Sequence, residues 1–344
     1  MTFNLKMNDK DQDIDIDKSS AAAPKTKIIA IVGPTASGKS GLAMRLAQKL
    51  GGSIICCDSM QIYRGMDIGT AKPTAEDMRI VPHRMFDIVS PQMAYSCADY
   101  VRDAEAAIRE TAQDGSLPML CGGTGLYLES LLMPRAYSAT SGRTDIRTEL
   151  EAIAAALDGR ERLHEMLCEV DPISAEAIHK NNVRRVIRAI EIYRESGIPK
   201  SELDRRSREC AADQKFDALV IGLRYPDRSL LRQRIAQRVD EMLDAGLGDE
   251  VRRLMADGAF ECAGSGAPST AAQAIGYKEM IAVLEGGEAP ESARDDIITA
   301  TCRYAKRQMT WFSAKPYIRW IDITEDSLAP DAAALELIND FLNK

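Results

Sequence analysis

The chain has 344 residues, of which 28% are charged and 45% hydrophobic, and its formal net charge is -8. This length suggests two domains, or one large domain with an insertion, and the composition excludes collagen-like, disordered and disulfide-stapled classes. No stretch approaches the roughly 18 uninterrupted apolar residues of a membrane helix, and the N-terminus lacks the apolar core of a signal peptide. We therefore expect a cytoplasmic protein without a membrane partner. The acidic balance by itself argues against a polyanionic partner.

The cysteines and histidines do not suggest a metal centre. Eight cysteines are scattered along the chain without C-x-x-C spacing, and the sequence has three histidines. Thiols in such a pattern are typical of small buried hydrophobic residues rather than of zinc sites or disulfides. We therefore expect buried thiols at these positions: Cys56, Cys57, Cys97, Cys121, Cys168, Cys210, Cys262 and Cys302.

The first part of the chain alternates short apolar runs with helical patterns. Residues 1–24 are acidic and small, which is typical of a disordered extension. Ile28–Val32 is a β-branched run, and after a glycine-rich turn Leu42, Leu46 and Leu50 mark a helix. Strands are also predicted at Ser53–Cys57 and Leu117–Cys121, and a helix at Cys97–Thr111. Strands that alternate with helices favour right-handed crossovers and a parallel sheet.

The pattern changes to helices alone from about residue 144 to residue 208, with Pro172 and Pro199 as breaks. It then returns to mixed elements, and a glycine-rich surface loop is predicted at residues 262–270. The remaining predicted elements are a strand at Phe216–Leu223, a long amphipathic helix at Asp227–Met255, a helix at Asp295–Phe312 and a strand at Tyr317–Ile321.

The segment GPTASGKS matches the P-loop pattern G-x-x-x-x-G-K-[ST], and it lies between a predicted strand and a predicted helix, as its mechanism requires. Its backbone N–H groups and Lys39 would hold linked phosphates, and the Ser40 hydroxyl would bind Mg²⁺ as cofactor. A kinase, a GTPase, an ATPase and a transferase with a diphosphate leaving group all remain open. The predicted phosphate-binding residues are Gly33, Pro34, Thr35, Ala36, Ser37, Gly38, Lys39 and Ser40.

These elements predict an α/β fold, in which a P-loop NTPase-like parallel sheet is flanked by helices and carries an all-helical insertion domain. We assign residues 25–140 and 212–344 to the P-loop core and residues 141–211 to the insertion domain.

Asp58 is the carboxylate that ends a predicted strand, and at the carboxyl edge of a parallel sheet it would face the same crevice as the P-loop. The polar, glycine-punctuated segment 58–73 that it begins is typical of a loop that lines a site. Residue chemistry alone leaves two functional roles for Asp58, a partner of Mg²⁺ or a general base, beside a purely structural role as a helix cap.

Seven motifs are spread over most of the chain: the P-loop, DSMQIYRGMDIGTAKP from Asp58, VPHRMFDI from Val81, GGTGLY from Gly122, NNVRRVIRAIEIY from Asn181, AIGYKE from Ala274 and CRYAKRQMTWF from Cys302. Together they resemble the tRNA dimethylallyltransferase family. The resemblance extends from about Lys27 to Trp320. It implies transfer of a dimethylallyl group from dimethylallyl diphosphate to the N6 amine of the adenosine adjacent to the anticodon, with release of diphosphate.

The resemblance also implies roles for individual residues. Thr35 to Ser40 would hold the diphosphate as the leaving group, and Asp58 would be the general base. Thr124 would contact the target adenosine, and Arg238 would stabilise charge on the departing diphosphate. Taken alone, Arg238 fits equally well on the solvated face of a helix with an apolar stripe. The implied partners are dimethylallyl diphosphate and the anticodon stem-loop of tRNA, and we expect a monomer.

The implied tRNA-binding residues include Asp58 and Thr124. The others are Ser59, Met60, Gln61, Arg147, Arg184, Arg185, Val186, Ile187, Arg188, Gln273, Ala274, Ile275, Gly276, Tyr277, Lys278, Arg307, Gln308, Met309, Thr310 and Trp311. Some fall in three segments, Lys180–Arg188, Gly222–Arg238 and Thr299–Arg319, which together carry 14 basic residues and one acidic residue. The last segment interleaves its cations with aromatic residues, which suits stacked RNA bases. The net charge therefore hides an uneven distribution, although each cluster alone could be a solvated helix face.

Three other functions compete with this interpretation. A small-molecule kinase would share the P-loop but would turn over ATP. An enzyme that prenylates free adenine nucleotides would not need the basic segments. A non-catalytic RNA-binding module would not need Lys39, Ser40 and Asp58.

Overall fold

The structure, a computed structural model, describes residues 25–133, 144–209, 214–262, 269–323 and 329–344. Its strands are β1 (Thr26–Val32), β2 (Gly52–Cys56), β3 (His83–Arg84), β4 (Leu117–Gly122), β5 (Phe216–Arg224) and β6 (Ile318–Asp322). They form one parallel sheet in the order β3-β2-β4-β1-β5-β6. The predicted α/β class with a parallel sheet is confirmed.

The helices in chain order are α1 (Lys39–Leu50), α2 (Ala75–Ile80), α3 (Cys97–Gln113), α4 (Gly125–Leu132), α5 (Thr144–Ala155), α6 (Gly159–Val170), α7 (Pro172–Ala177), α8 (Val183–Ser196), α9 (Lys200–Glu209), α10 (Arg228–Asp244), α11 (Leu247–Ala256), α12 (Tyr277–Glu285), α13 (Arg294–Ser313) and α14 (Ala329–Leu342). None of the described helices is long and apolar enough to cross a membrane.

The sheet is covered on both faces, which explains why β1 reads as a continuous apolar run. Alternate residues of β1 belong to two separate cores: Ile28 to the first, and Ile29 to the second. The first core contains residues of α3, α4, α10, α11, α12 and α13. The second contains residues of α1 and α14.

The helical segment 144–209 has an apolar core of its own. Leu150, Leu163, Leu167, Val186 and Ile190 are buried together where α5, α6 and α8 meet. The described residues of this segment form helices and no strand, as predicted. The chain on either side of it, residues 134–143 and 210–213, lies outside the described residues, and so do the predicted domain boundaries and the predicted N-terminal extension.

The predicted long helix Asp227–Met255 was wrong, because the structure contains two helices, α10 and α11, in its place. Gly246 separates them with a φ of 92°, a left-handed conformation that ends a helix and that glycine adopts at low cost. The apolar spacing continues on both sides of this residue, so hydrophobic periodicity alone did not reveal the break.

Helix α14 was not predicted, and it packs against the P-loop helix α1. Arg45 of α1 makes two hydrogen bonds, of 2.7 and 2.8 Å, to the carboxylate of Asp331. Lys27 donates to the last carbonyls of the helix, those of Phe341 and Leu342. The C-terminal helix therefore supports the element that begins at the P-loop.

The expectation of buried thiols holds for three cysteines, Cys56, Cys57 and Cys121, which lie in or beside the sheet. Cys97, Cys262 and Cys302 are half-buried and Cys168 is exposed, so the expectation was wrong for these four, while Cys210 lies outside the described residues.

The surface loop predicted at residues 262–270 is described only in part, because residues 263–268 lie outside the described residues. Ser269 is buried, contrary to that prediction, and its N–H donates to Phe260 O at 2.8 Å.

Candidate active site

The P-loop turns from β1 into α1 at the carboxyl edge of the sheet. Gly33 has a φ of 152°, and a Cβ atom there would lie 2.7 Å from the carbonyl oxygen of Leu223. Gly38, with a φ of 80°, is the residue before the helix and has no side chain to accept from the first-turn N–H groups of α1. The loop therefore presents backbone N–H groups and a positive helix end toward the crevice.

Lys39 is buried at the base of this loop, and its ammonium donates to Pro34 O at 3.4 Å. Burial lowers the pKa of Lys39; Arg238 acts in the same direction, whereas Asp58 raises it. Lys39, Arg238 and Asp58 are thus close enough to interact electrostatically, as sequence analysis predicted for a shared crevice. A bound anion would compensate the charges of buried Lys39 and half-buried Arg238.

Asp58 follows β2 and is held beside Thr124, which follows β4. The Asp58 carboxylate accepts a hydrogen bond from Met60 N–H at 2.9 Å. The Thr124 hydroxyl accepts one from Ser59 N–H at 2.9 Å, and Thr124 N–H donates to Cys57 O at 3.2 Å. The two strand ends therefore form one rigid corner.

The glycines of the GGTGLY motif allow neighbouring segments to approach this corner. A Cβ on Gly122 would lie 2.0 Å from Cys57 O, and one on Gly123 would lie 2.2 Å from Gln308 Nε2. A Cβ on Gly125 would lie 2.3 Å from Trp311 Cδ1. These distances explain why β4 ends in glycines instead of a carboxylate: the space beside them is filled by the Asp58 loop and by α13.

Gln308 of α13 connects the P-loop to this corner. Its side-chain oxygen accepts from Thr35 N–H at 2.8 Å, and its side-chain nitrogen donates to Gly123 O at 3.0 Å. The residue is buried, and both of these partners are backbone groups of other elements. Gln308 had been predicted only as a tRNA-binding residue, and the structure adds this bridging contact.

Tyr304 lies one turn before Gln308 on α13 and was not predicted as a site residue. Its hydroxyl lies close to the side chains of Thr124 and Gln308. Burial raises the pKa of Tyr304, and Asp58 raises it further, so the hydroxyl stays protonated near neutral pH. The signal available in the sequence was the four-residue spacing that places both side chains on one helix face.

A cavity of about 260 Å³ opens in front of these residues. Thr35, Asp58 and Arg238 line it, as do Tyr304 and Arg307 of α13. Its apolar wall consists of Ile235, Val239, Met242 and Ile297. Residues 273–276 complete the lining on the side of α12. The cavity therefore joins an anion-binding region, a carboxylate and an apolar surface.

Arg238 does not lie on a solvated helix face. It is half-buried, and its guanidinium donates to Thr70 O at 3.3 Å. Burial lowers the pKa of Arg238, and Asp58 opposes that effect. Arg238 and the apolar stripe of α10 line the same cavity. The alternative that Arg238 lies on the solvated face of its helix is therefore wrong.

The loop 58–73 is held together by Lys72, whose ammonium is nearly buried. Lys72 donates to Tyr63 O at 2.6 Å and to the Asp67 carboxylate at 2.7 Å, and it also pairs with Asp87. Gln61 donates to Thr70 O at 3.0 Å within the same loop. The loop that borders the cavity is therefore internally ordered.

The remaining predicted tRNA-binding residues fall into three groups by exposure. The exposed ones are Arg184, Arg185, Gln273, Lys278, Arg307 and Thr310, and the half-buried ones are Ser59, Met60, Gln61, Arg147, Arg188, Ile275, Met309 and Trp311. The buried ones are Val186, Ile187, Ala274, Gly276, Tyr277 and Gln308. Val186 and Ile187 are on the inner face of α8, and Tyr277 belongs to the first core, whereas Ala274 and Gly276 line the cavity.

The structure brings Arg147 of α5 next to Arg188 of α8 through a buried carboxylate that sequence analysis did not single out. Glu191 is 1% exposed, and its two oxygens lie 3.5 Å from Arg147 and 3.3 Å from Arg188. The signal in the sequence that could have identified Glu191 is its position, a carboxylate inside the apolar stripe of an amphipathic helix.

Ser40 offers one hydroxyl oxygen for Mg²⁺. It is exposed on the first turn of α1, and its side chain lies close to the Cys121 thiol. Burial raises the pKa of Cys121 to about 11, so this neighbour is a thiol and not a thiolate ligand. One hard oxygen beside bound phosphates suits Mg²⁺, which takes most of its ligands from phosphate and water. In the described part of the chain, no group of three or more His, Cys, Asp or Glu side chains forms a separate metal site.

Comparison with known sequences gives a consistent family assignment. The family model described as IPP transferase matches residues 61–315, and one described as isopentenyl transferase matches residues 26–87. The tRNA dimethylallyltransferase of Bacillus cytotoxicus is 43% identical over 302 residues, which cover 88% of this chain and 92% of that protein. The tRNA dimethylallyltransferase of Geobacter sulfurreducens is 44% identical over 301 residues, which cover 88% and 93%.

Solved structures are similar over nearly the whole chain. The tRNA isopentenylpyrophosphate transferase of Staphylococcus epidermidis aligns with a TM-score of 0.65 at 38% identity, covering 92% of this chain and 99% of that one. A eukaryotic dimethylallyltransferase acting on tRNA aligns with a TM-score of 0.77 at 29% identity, covering 92% and 80%.

Proposed function

We propose the following reaction for this chain, which belongs to the tRNA dimethylallyltransferase family. The N6 amine of the adenosine adjacent to the anticodon attacks C1 of dimethylallyl diphosphate, the bond from C1 to the bridging oxygen breaks, and diphosphate leaves. The observation that carries this proposal is the single cavity in which the P-loop, Asp58, Arg238 and an apolar wall meet.

Asp58 is assigned as the general base. Its carboxylate lines the cavity, and its fixed corner with Thr124 orients it toward an incoming base. It takes the proton that the N6 amine loses as the new C–N bond forms. Thr124 and Tyr304 present hydroxyl groups at the same corner, which supports their assignment to holding the adenosine.

Lys39, Arg238 and residues 33–40 of the P-loop are assigned to the diphosphate. Charge grows on the bridging oxygen as the C–O bond breaks, and the two cations and the N–H groups of the loop stabilise it there. The apolar wall formed by Ile235, Val239 and Met242 suits the hydrocarbon part of the donor and keeps water from competing with the amine. ATP has no role in this reaction.

Mg²⁺ fits this assignment through the Ser40 hydroxyl. When bound, the ion would neutralise charge on the phosphate oxygens of the donor. The protein supplies the rest of the charge compensation through Lys39 and Arg238.

The RNA is assigned to the basic surfaces outside the cavity. We propose that residues 141–211 form a helical insertion domain that grips the anticodon stem-loop with Arg147, Arg184, Arg185 and Arg188. On the core, Gln273, Lys278, Arg307 and the exposed side of α13 are assigned to the nucleotides around the target base, which must leave its stack to reach Asp58. Because one chain carries all of these groups, we expect a monomer to be active. A cytoplasmic location stays a prediction.

The proposal is tested by incubating the protein with isotope-labelled dimethylallyl diphosphate and a tRNA that has adenosine next to the anticodon. The expected result is label in that nucleotide and one diphosphate released for each label. Parallel reactions contain AMP or ATP in place of tRNA, or ATP with candidate metabolites. Label transfer to free nucleotides alone, or ADP formation without labelled tRNA, would contradict the proposal and favour one of the competing enzymes.

A further inference from the structure

A carboxylate outside the cavity holds the loop that borders it. Glu250 of α11 is 3% exposed. One of its oxygens accepts hydrogen bonds from Asp67 N–H at 3.0 Å and Ile68 N–H at 2.8 Å, and the other accepts from Gly69 N–H at 3.2 Å. Carboxylates are rarely buried so completely unless their oxygens are paired. Here the partners are three consecutive backbone N–H groups of one loop.

Tyr277 completes this contact. Its hydroxyl donates to Glu250, and its ring lies against Gly69, where a Cβ atom would be 2.4 Å from ring atom Cε2. Tyr277 is fully buried, so the AIGYKE motif uses it in the interior rather than at the RNA surface. The contact also gives a reason for Gly69 in the motif that begins at Asp58.

The loop held in this way reaches the cavity through Thr70. The carbonyl oxygen of Thr70 accepts from the Arg238 guanidinium at 3.3 Å and from the Gln61 amide at 3.0 Å. Gly69, Thr70 and Arg238 line the same cavity. Because residues 67–69 are fixed to Glu250, the next carbonyl along the chain is fixed as well, and it is the acceptor that orients Arg238.

We infer that Glu250, with Tyr277, is a positioning residue that orients Arg238 toward the departing diphosphate by fixing residues 67–69. This inference rests on the proposed function, because it is there that Arg238 is assigned to the leaving group. Glu250 does not line the cavity and acts through the loop. A guanidinium displaced by about 1 Å loses much of its stabilisation of the transition state, so the effect falls on kcat and not on the KM for tRNA.

Glu250→Gln is the first test, because glutamine keeps the shape but replaces one acceptor oxygen with a donor. We expect kcat to fall about 10- to 100-fold, while the KM for tRNA changes less than about 2-fold. Backbone amides of residues 67–69 should exchange hydrogen faster. The matched control is Asp99→Asn, which changes a carboxylate that accepts from Ser96 N–H at the start of α3, and which should lower the unfolding temperature without changing kcat.

Two further variants keep the inference testable if Glu250→Gln does not fold. Tyr277→Phe keeps the ring against Gly69 and removes one hydrogen bond, so it should fold and lower kcat about 3- to 10-fold. The second is a double variant, Tyr277→Phe with Arg238→Lys, and Glu250→Gln is combined with Arg238→Lys in the same way if it folds. If the contact acts through Arg238, its effect on kcat should shrink to less than about 2-fold in the Arg238→Lys background.

Unchanged kcat in both single variants would overturn the inference, and so would a full effect that persists in the Arg238→Lys background. The unmodified protein is assayed beside them with labelled donor and tRNA. If it transfers no label, the proposed function fails instead, and the amide exchange of residues 67–69 still reports whether Glu250 holds the loop.

Discussion

The cavity and the helical segment 144–209 hold their cations in different ways. In the P-loop and the cavity beside it, burial lowers the pKa of both Lys39 and Arg238, and each donates to a backbone carbonyl. On α8, Arg184 and Arg185 are exposed to solvent, and Arg188 is half-buried beside Glu191. The first arrangement fixes two charges in a low-dielectric site, and the second presents exposed charges to water.

This difference predicts different energetics for the two regions. A cation held in fixed geometry away from water strongly stabilises a negative charge that develops beside it. Exposed cations each contribute little, are screened by salt and act additively on a polyanion. Substitutions in the cavity should therefore change turnover, whereas those on the helical segment should change tRNA affinity and its salt dependence.

The largest effect is expected for Asp58→Asn, which removes the proposed base and keeps its shape. The single-turnover rate constant should fall about 100- to 10,000-fold, because the amide cannot take a proton from the attacking amine. The Kd for tRNA, measured by filter binding, should stay within about 2-fold, since only one group in a large interface changes. Asp114→Asn, at the exposed end of α3, is the control. Full activity of Asp58→Asn would remove this residue from the base role.

The next largest effect is expected for Gln308→Ala, which leaves Thr35 N–H and Gly123 O without their side-chain partner. The KM for dimethylallyl diphosphate should rise about 10-fold or more, because a buried donor and acceptor lose their hydrogen bonds and the P-loop relaxes. Gln237→Ala, on the exposed face of α10, is the matched control and should have no effect. A Gln308→Ala enzyme with normal donor KM would show that the P-loop holds its shape without α13.

A smaller effect, on the other region, is expected for the double variant Arg184→Ala, Arg185→Ala. The Kd for tRNA should rise about 3- to 30-fold at moderate salt, and the slope of log K against log salt should decrease by about 1 to 2, as phosphate contacts are lost. The kcat at saturating tRNA should not change. Arg102→Ala, an exposed arginine of α3, is the control. A loss of kcat with unchanged salt dependence would contradict the separation between the two regions.

The smallest effect is expected away from both regions, at the pair of Arg45 and Asp331. The hydrogen bonds from Arg45 lower the pKa of Asp331 below its ordinary value of 3.8. The pair therefore stabilises the fold above about pH 4 and loses this contribution as pH falls through the lowered pKa. Because Arg45 is half exposed, Arg45→Ala should cost only about 0.5 to 1 kcal/mol of unfolding free energy at pH 7.

Urea unfolding at pH 7 and at pH 3 measures this difference. The gap between Arg45→Ala and the unmodified protein should shrink at the lower pH. Arg79→Ala, which breaks an exposed pair with Glu76, is the control and should be near neutral at both pH values. An equal gap at both pH values would mean that the ionised Asp331 is not what stabilises α14 on α1.

Much of the core could be predicted because its signals are local. The run Ile28–Val32 and the pattern Gly33–Ser40 specify a strand, a phosphate-binding turn and a helix within a few residues of one another. Asp58 could be placed at the sheet edge because parallel strands end on one side. The break at Gly246 was missed because the apolar spacing continues through it, and α14 was missed because its packing partner α1 is far away in the sequence.

The sequence by itself determined the parallel α/β core, the P-loop, the edge position of Asp58 and the basic character of three segments, because each follows from short-range pattern or residue chemistry. Tertiary structure alone decided that Arg238 borders the cavity and not the solvent, that Val186, Ile187 and Tyr277 face the interior, and that Gln308 and Glu250 bind distant backbone. Burial and hydrogen-bond partners depend on which elements pack together, and those contacts join residues up to 315 positions apart in the chain.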